Sequence, residues 1–160
     1  MQPQSTSKAF LLEAIELSRR NIRDGKGGPF GAVIVRGNSV VAQGTNLVTS
    51  THDPTAHAEI VAIREACRSL GTFQLDDCEI YTSCEPCPMC LGAIYWARLR
   101  RLIFANTRKD AMRIGFDDEF LYREITLPHI DRRIPTVHIE STEALSVFTE
   151  WEQMEDKIRY

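Results

Sequence analysis

The sequence predicts an α/β domain in which a central sheet is covered by helices on both faces. Three observations carry that prediction. Segments with helical spacing of apolar residues alternate with short β-branched runs along most of the chain. An early pair of such runs is split by "RGNS", a hairpin signature. A later pair, "CEIYTSC" and "RLIFAN", is separated by a helical stretch, and a helical crossover favours parallel pairing. The 160 residues suffice for one core without staples, so residues 1–160 read as a single domain.

Each element follows from its own pattern. A first helix is expected over "STSKAFLLEAIELSRRNIRDG", where Phe10, Leu11, Ala14, Ile15 and Leu17 recur near helical spacing. Ser5 or Ser7 caps its start and Gly25 ends it. The glycine-rich "GKGGPFG" leads into a strand, not a helix, and so is not a nucleotide-binding fingerprint. "GAVIVRGNSVVAQGTN" is the hairpin. A second helix over "DPTAHAEIVAIREACRSLG" is opened by Asp53 or Thr55 and closed by Gly71. "CEIYTSC" reads as a buried strand, and "PCPMCLGAIYWARL" as a helix with prolines only at its start. After the strand "RLIFAN" come a short helix in "GFDDEFLYREI", a strand "TVHIE", and a C-terminal helix from "STEALS" capped by Ser141 or Thr142. Glu143 reads as part of that cap, with a place in the pocket as the alternative.

The net charge is −3, whereas a polynucleotide partner usually calls for a basic face; no nucleic acid is expected. The basic "RLRR" at Arg98 to Arg101 reads as a solvated face. No secretory h-region or apolar run of membrane-span length is visible, so a cytoplasmic protein without membrane contact is expected. Five cysteines, four of them between Cys67 and Cys90, fit a disulfide framework poorly. In a reducing compartment such a cluster points to metal or redox work.

His57, with Glu59 two residues on, is expected in the first turn of the second helix, and Cys87 and Cys90 in the first turn of the third. Residues three apart share a helix face. Two thiolates and one imidazole offered from two helix N-termini suit zinc, and the helix dipoles should ease ionisation of both thiols. Cys84 stands before Glu85-Pro86, and Pro86 restricts Glu85 to extended geometry. Cys84 therefore falls off the face of Cys87 and Cys90, which leaves three protein ligands and one open position. The alternative is a closed Cys3His site that only holds the fold together. Glu59 favours the open site, because water activated by a metal still needs a group to carry its proton. "HAE" followed by "PCPMC" also agrees with the signature of zinc nucleobase deaminases. Cys67 and Cys78 read as buried small hydrophobes, and His52, His129 and His138 as surface or satisfied groups.

On "HAE" and "PCPMC" the sequence resembles the cytidine-deaminase-like superfamily, and within it the bacterial guanine deaminases. The stretches "GGPFGAVIV", "DPTAHAE", "LDDCEIYTSCEPCPMCLGAIYWAR" and "GFDDEFLYREI" carry that likeness, the last being the most diagnostic. The resemblance implies a three-layer α/β/α fold with a mixed five-stranded sheet, and hydrolysis of guanine to xanthine and ammonia. It implies that His57, Cys87 and Cys90 hold zinc and that Glu59 shuttles protons. Asn46 would contact the purine, Phe30 would lie on its ring, Asp118 would bind the guanine edge and Tyr160 would complete the pocket. A homodimer exchanging the C-terminal segment, residues 140–160, is implied as well, with Tyr160 serving the partner's pocket.

Chemistry supports the choice of base. Guanine presents N1–H and its 2-amino group side by side as donors, and a carboxylate is an acceptor-only group. Adenine and cytosine each put an acceptor on that edge. Whether Asp117 or Asp118 does the reading is not separable by physics; Asp118 comes from the resemblance. Guanosine deaminase is the nearest alternative function, with tRNA adenosine and cytosine deaminases further off.

Overall fold

A computed structural model describes residues 3–160, with side chains from residue 7. The chain divides into two compact units, Met1–Tyr122 and Arg123–Tyr160. In the first, helix α1 (Pro3–Arg23) leads into strands β1 (Gly31–Arg36) and β2 (Ser39–Thr45). A single-turn helix α2 (Val48–Thr51) precedes helix α3 (Ala58–Leu70), strand β3 (Cys78–Cys84), helix α4 (Pro88–Trp96) and strand β4 (Arg101–Asn106). Two short helices follow, α5 (Arg108–Arg113) and α6 (Asp118–Glu124). The second unit holds a 3-10 turn, His129–Asp131, and helix α7 (Thr142–Gln153). Among the described residues, no helix is long and apolar enough to cross a membrane.

The sheet order is β2-β1-β3-β4. β1 is antiparallel to both β2 and β3, whereas β3 and β4 run parallel across the α4 crossover, so the sheet is mixed. Alternation along β1 sorts its side chains between two cores. Val33 and Val35 join Tyr81, Ala14 and Leu17 beneath α1. Ala32 and Ile34 join Ile80, Ala58, Ala62, Ala66 and Ile94 beneath α3 and α4. Two glycines let the helices approach. A Cβ at Gly31 would lie 2.3 Å from the Ala14 carbonyl oxygen, and one at Gly44 only 2.1 Å from that of Ala58.

Several expectations need correction. The sheet has four strands among the described residues, not five. Thr136–Glu140, read as a strand from "TVHIE", has exposed side chains and no ladder. A strand takes its backbone partners from another segment, and the unit that contains this one has no second strand. Helix α3 starts at Ala58, later than Asp53 or Thr55. The Asp53 carboxylate instead accepts hydrogen bonds from the Thr55 backbone N–H and hydroxyl at 2.8 and 2.7 Å, closing a local turn that competes with the helix. α1 begins at Pro3, so Ser5 and Ser7 lie within it. Ser141 caps α7 as expected, accepting from the Ala144 N–H at 3.1 Å.

Candidate metal and catalytic site

Two helices begin at one place. His57 is the N-cap of α3 and Cys87 the N-cap of α4, both with extended backbone rather than in the first helical turn as expected. At Cys87 the sequence enforces this: Pro88 follows it and disfavours helical geometry at the residue before it. An N-cap side chain ordinarily turns back onto its own helix. Neither does so here. They meet each other and Cys90, which sits three residues into α4.

The Nδ1 atom of His57 lies 3.6 Å from Cys87 Sγ and 3.5 Å from Cys90 Sγ. The three donor atoms all fall within 4.8 Å of one another. Tetrahedral zinc with ordinary bond lengths places an imidazole nitrogen about 3.6 Å from a thiolate sulfur. The cluster therefore has the donor types and spacing that zinc requires. Cys84 stands apart, with its thiol toward the Thr107 carbonyl oxygen at 3.7 Å. Burial pushes that thiol up to about 12, which keeps it protonated.

The charges around the cluster are strongly perturbed. The hydrogen bond from Cys90, reinforced by His57, draws Cys87 down to about 4. Cys90 is driven the other way by the same bond and by burial. The bond to Cys87 raises the pKa of His57. Glu59 is 7% exposed, and burial lifts its carboxyl to about 7. Its Oε2 lies 3.5 Å from Cys90 Sγ. A buried carboxyl near neutral pKa is suited to taking and returning protons.

A cavity of about 220 Å³ opens beside these groups, lined by residues of the first unit only. His57, Cys87 and Glu59 border it, and so do Asn46, Phe30 and Asp118. Asn46 is buried, its Oδ1 accepting from the Gly28 and Val48 N–H groups, each at 3.3 Å. Phe30 meets Phe116 edge to face, with ring centroids 4.8 Å apart. Asp118 is half-buried, and its pKa is raised by burial and by the neighbouring Cys87. Tyr160 lies in the second unit and is 72% exposed. Glu143 accepts from the Ser141 and Thr142 hydroxyls at the start of α7.

Sequence reasoning missed three contributors. Phe116 and Glu85 also line the cavity. Asn21 reaches from α1 to donate to the carbonyl oxygens of Gly28 and Asn46 at 2.9 and 2.8 Å, tying two of the cavity's loops together. A polar residue on the apolar side of α1 was the one signal for it.

Fold and site together are those of a deaminase domain whose His57–Cys87–Cys90 cluster suits zinc. The model of the cytidine and deoxycytidylate deaminase zinc-binding region matches residues 4–106, and the chain belongs to this family. It is 52% identical over 153 residues to guanine deaminase of Bacillus subtilis (strain 168), covering 96% of this chain and 98% of that one. The crystal structure of guanine deaminase from Bacillus subtilis matches with a TM-score of 0.94 at 50% identity, over 100% of this chain and 99% of that one. The tRNA-specific adenosine deaminase of Aquifex aeolicus (strain VF5) is 42% identical over 100 residues, 62% of this chain and 66% of that protein. The protein NE0047, solved in complex with 2,6-diaminopurine, matches with a TM-score of 0.67 at 39% identity, over 70% of this chain and 62% of that one.

Proposed function

We propose that the protein deaminates guanine hydrolytically, guanine and water giving xanthine and ammonia. One observation carries the reading: a His57–Cys87–Cys90 cluster with zinc spacing and the buried Glu59 share a small cavity with Asp118. Likeness to a guanine deaminase over nearly the whole chain, and the purine held by NE0047, support the substrate class.

His57, Cys87 and Cys90 would hold zinc, which when bound lowers the pKa of water and so makes it a nucleophile at neutral pH. Glu59 takes the proton of the attacking water as oxygen bonds to C2 of guanine. It passes that proton to the adjacent ring nitrogen. As the C2–N bond breaks, Glu59 carries the proton of the new C2 hydroxyl to the amine, which leaves as ammonia while the oxygen becomes the C2 carbonyl. Asp118 accepts from N1–H and the 2-amino group, holding the reacting carbon toward Glu59. Asn46 and Phe30 bound the purine plane.

The resemblance adds a homodimer in which residues 140–160 pass between copies and Tyr160 closes the partner's pocket. Side chains of the second unit fit such a role: Val137, Ile139 and Phe148 are 80%, 81% and 74% exposed. Five free cysteines suit a reducing compartment, in keeping with a cytoplasmic enzyme. The test is ammonia release from guanine, guanosine, adenine and cytosine at equal concentration. Guanine should be turned over, adenine and cytosine at least ~10²-fold more slowly because they bring the wrong edge to Asp118, and guanosine, which keeps that edge but carries ribose at N9, more slowly than guanine. Equal or faster release from guanosine or adenine overturns the assignment.

A further inference from the structure

α6 has seven residues and α5 has six, too few for either to persist by its own backbone bonds. The position of Asp118, the first residue of α6, must therefore come from contacts made by other side chains. Tyr122, one turn later, lies on the same helix face. Its hydroxyl donates to the carbonyl oxygen of Pro86 at 3.0 Å, immediately before Cys87. The guanidinium of Arg108 lies 4.8 Å from the centre of the Tyr122 ring and pairs with Glu119 of α6 at 3.2 Å. The backbone N–H of Arg108 in turn donates to the Glu85 carboxylate at 3.0 Å, while the Glu85 N–H donates to the Asn106 carbonyl oxygen at 2.8 Å. Glu85, Pro86 and Cys87 are consecutive. The loop that presents Cys87 and the helix that presents Asp118 are thus clasped together by Tyr122, Arg108 and Glu85.

We infer that Tyr122 is a positioning residue for the reaction, fixing Asp118 relative to Cys87 through its bond to the Pro86 carbonyl oxygen and its contact with Arg108. The inference rests on the reading of Asp118 as the group that receives the guanine edge. A substrate held between two rigid points loses orientation when either shifts by a fraction of an ångström. Tyr122 is neither a lining residue of the cavity nor a member of the His57–Cys87–Cys90 cluster, so it is placed to act through the position of Asp118 against the Cys87 loop.

The experiment is a double-mutant cycle on the zinc-loaded, full-length protein with Tyr122→Phe, Asp118→Asn and both changes together. Tyr122→Phe keeps the ring beneath Arg108 and removes only the hydroxyl. Zinc content should be unchanged, while kcat/KM for guanine falls about fivefold to tenfold, the scale of one lost hydrogen bond. The dissociation constant of 8-azaguanine, read by calorimetry, should rise by a similar factor. Arg108→Lys should act in the same direction, because a compact ammonium does not stack on the ring as guanidinium does. In the Asp118→Asn background, Tyr122→Phe should add nothing further. Unchanged kinetics in Tyr122→Phe, or losses that simply multiply in the double variant, overturn the clasp. Full activity in Asp118→Asn instead overturns the reading of Asp118, and with it the role given to Tyr122.

Discussion

Glu59 carries a conflict that a single substitution exposes. Its carboxyl is buried, and its pKa is raised from 4.5 to about 7 by desolvation. In the metal-free protein the folded state therefore binds this proton more tightly than the unfolded chain does. Between about pH 4.5 and 7 the unfolded chain releases it first, so Glu59 costs the fold stability as pH rises through that window and no more above it. The full shift corresponds to roughly 3 kcal/mol. Glu59→Gln cannot titrate. Urea unfolding of chelator-stripped protein should show the variant gaining on wild type from pH 4.5 to 7 and holding a constant lead above. The zinc-loaded variant should keep its metal yet lose at least ~10²-fold in rate on guanine, the usual scale of general acid–base catalysis. A pH-independent stability difference would contradict the buried, raised carboxyl. The place of Glu59 at the cavity was legible in the sequence because it is marked by a spacing, two positions after His57 in a chain that also carries the Cys87–Cys90 pair. Asn21 was not legible, because its partners Gly28 and Asn46 lie 7 and 25 residues away and accept through backbone oxygens that carry no residue signature.

At the level of elements, helix α3 is held to β2 by an absence. A Cβ on Gly44 would sit 2.1 Å from the Ala58 carbonyl oxygen and 2.6 Å from the Ala62 nitrogen, both backbone atoms that no rotamer change can move aside. Gly44→Ala should push the start of α3 away from the sheet. His57 is the N-cap of that helix and Glu59 lies within its first turn, so the displacement falls on the cluster. The expected cost is about 1–3 kcal/mol of stability from overpacking, with weakened zinc retention against a chelator. Thermal melting and metal analysis would read both, and a variant that retains metal as wild type does would show that the site does not depend on this contact. The sequence located α3 by its apolar spacing but misplaced its start, since Asp53, Pro54 and Thr55 serve equally as helix openers and as turn formers. Strands β3 and β4 were legible to the residue because their short apolar stretches end abruptly at turn or loop chemistry. α2 and α5, of four and six residues, are too short to show a period and went unread.

At the scale of the whole molecule, the site and the chain that would close it lie in different compact units. The cavity-bearing unit ends at Tyr122, and Tyr160 belongs to the other. The proposed exchange makes Tyr160 a residue of the partner's pocket, and a mixing experiment decides this without further structure. Glu59→Gln alone should be inactive, and Tyr160→Ala alone should be impaired. When the two variants are unfolded and refolded together, half of the dimers are mixed. If the C-terminal segment is exchanged, each mixed dimer contains one pocket with both defects and one with neither. Activity should then return to about a quarter of wild type, half of the dimers each having one intact pocket of two. If Tyr160 instead closes the pocket of its own chain, every pocket in the mixture carries a defect and nothing is regained. Light scattering on wild type should accompany the experiment, because a monomer at the 18.2 kDa mass of one chain would rule out exchange whatever the mixing shows.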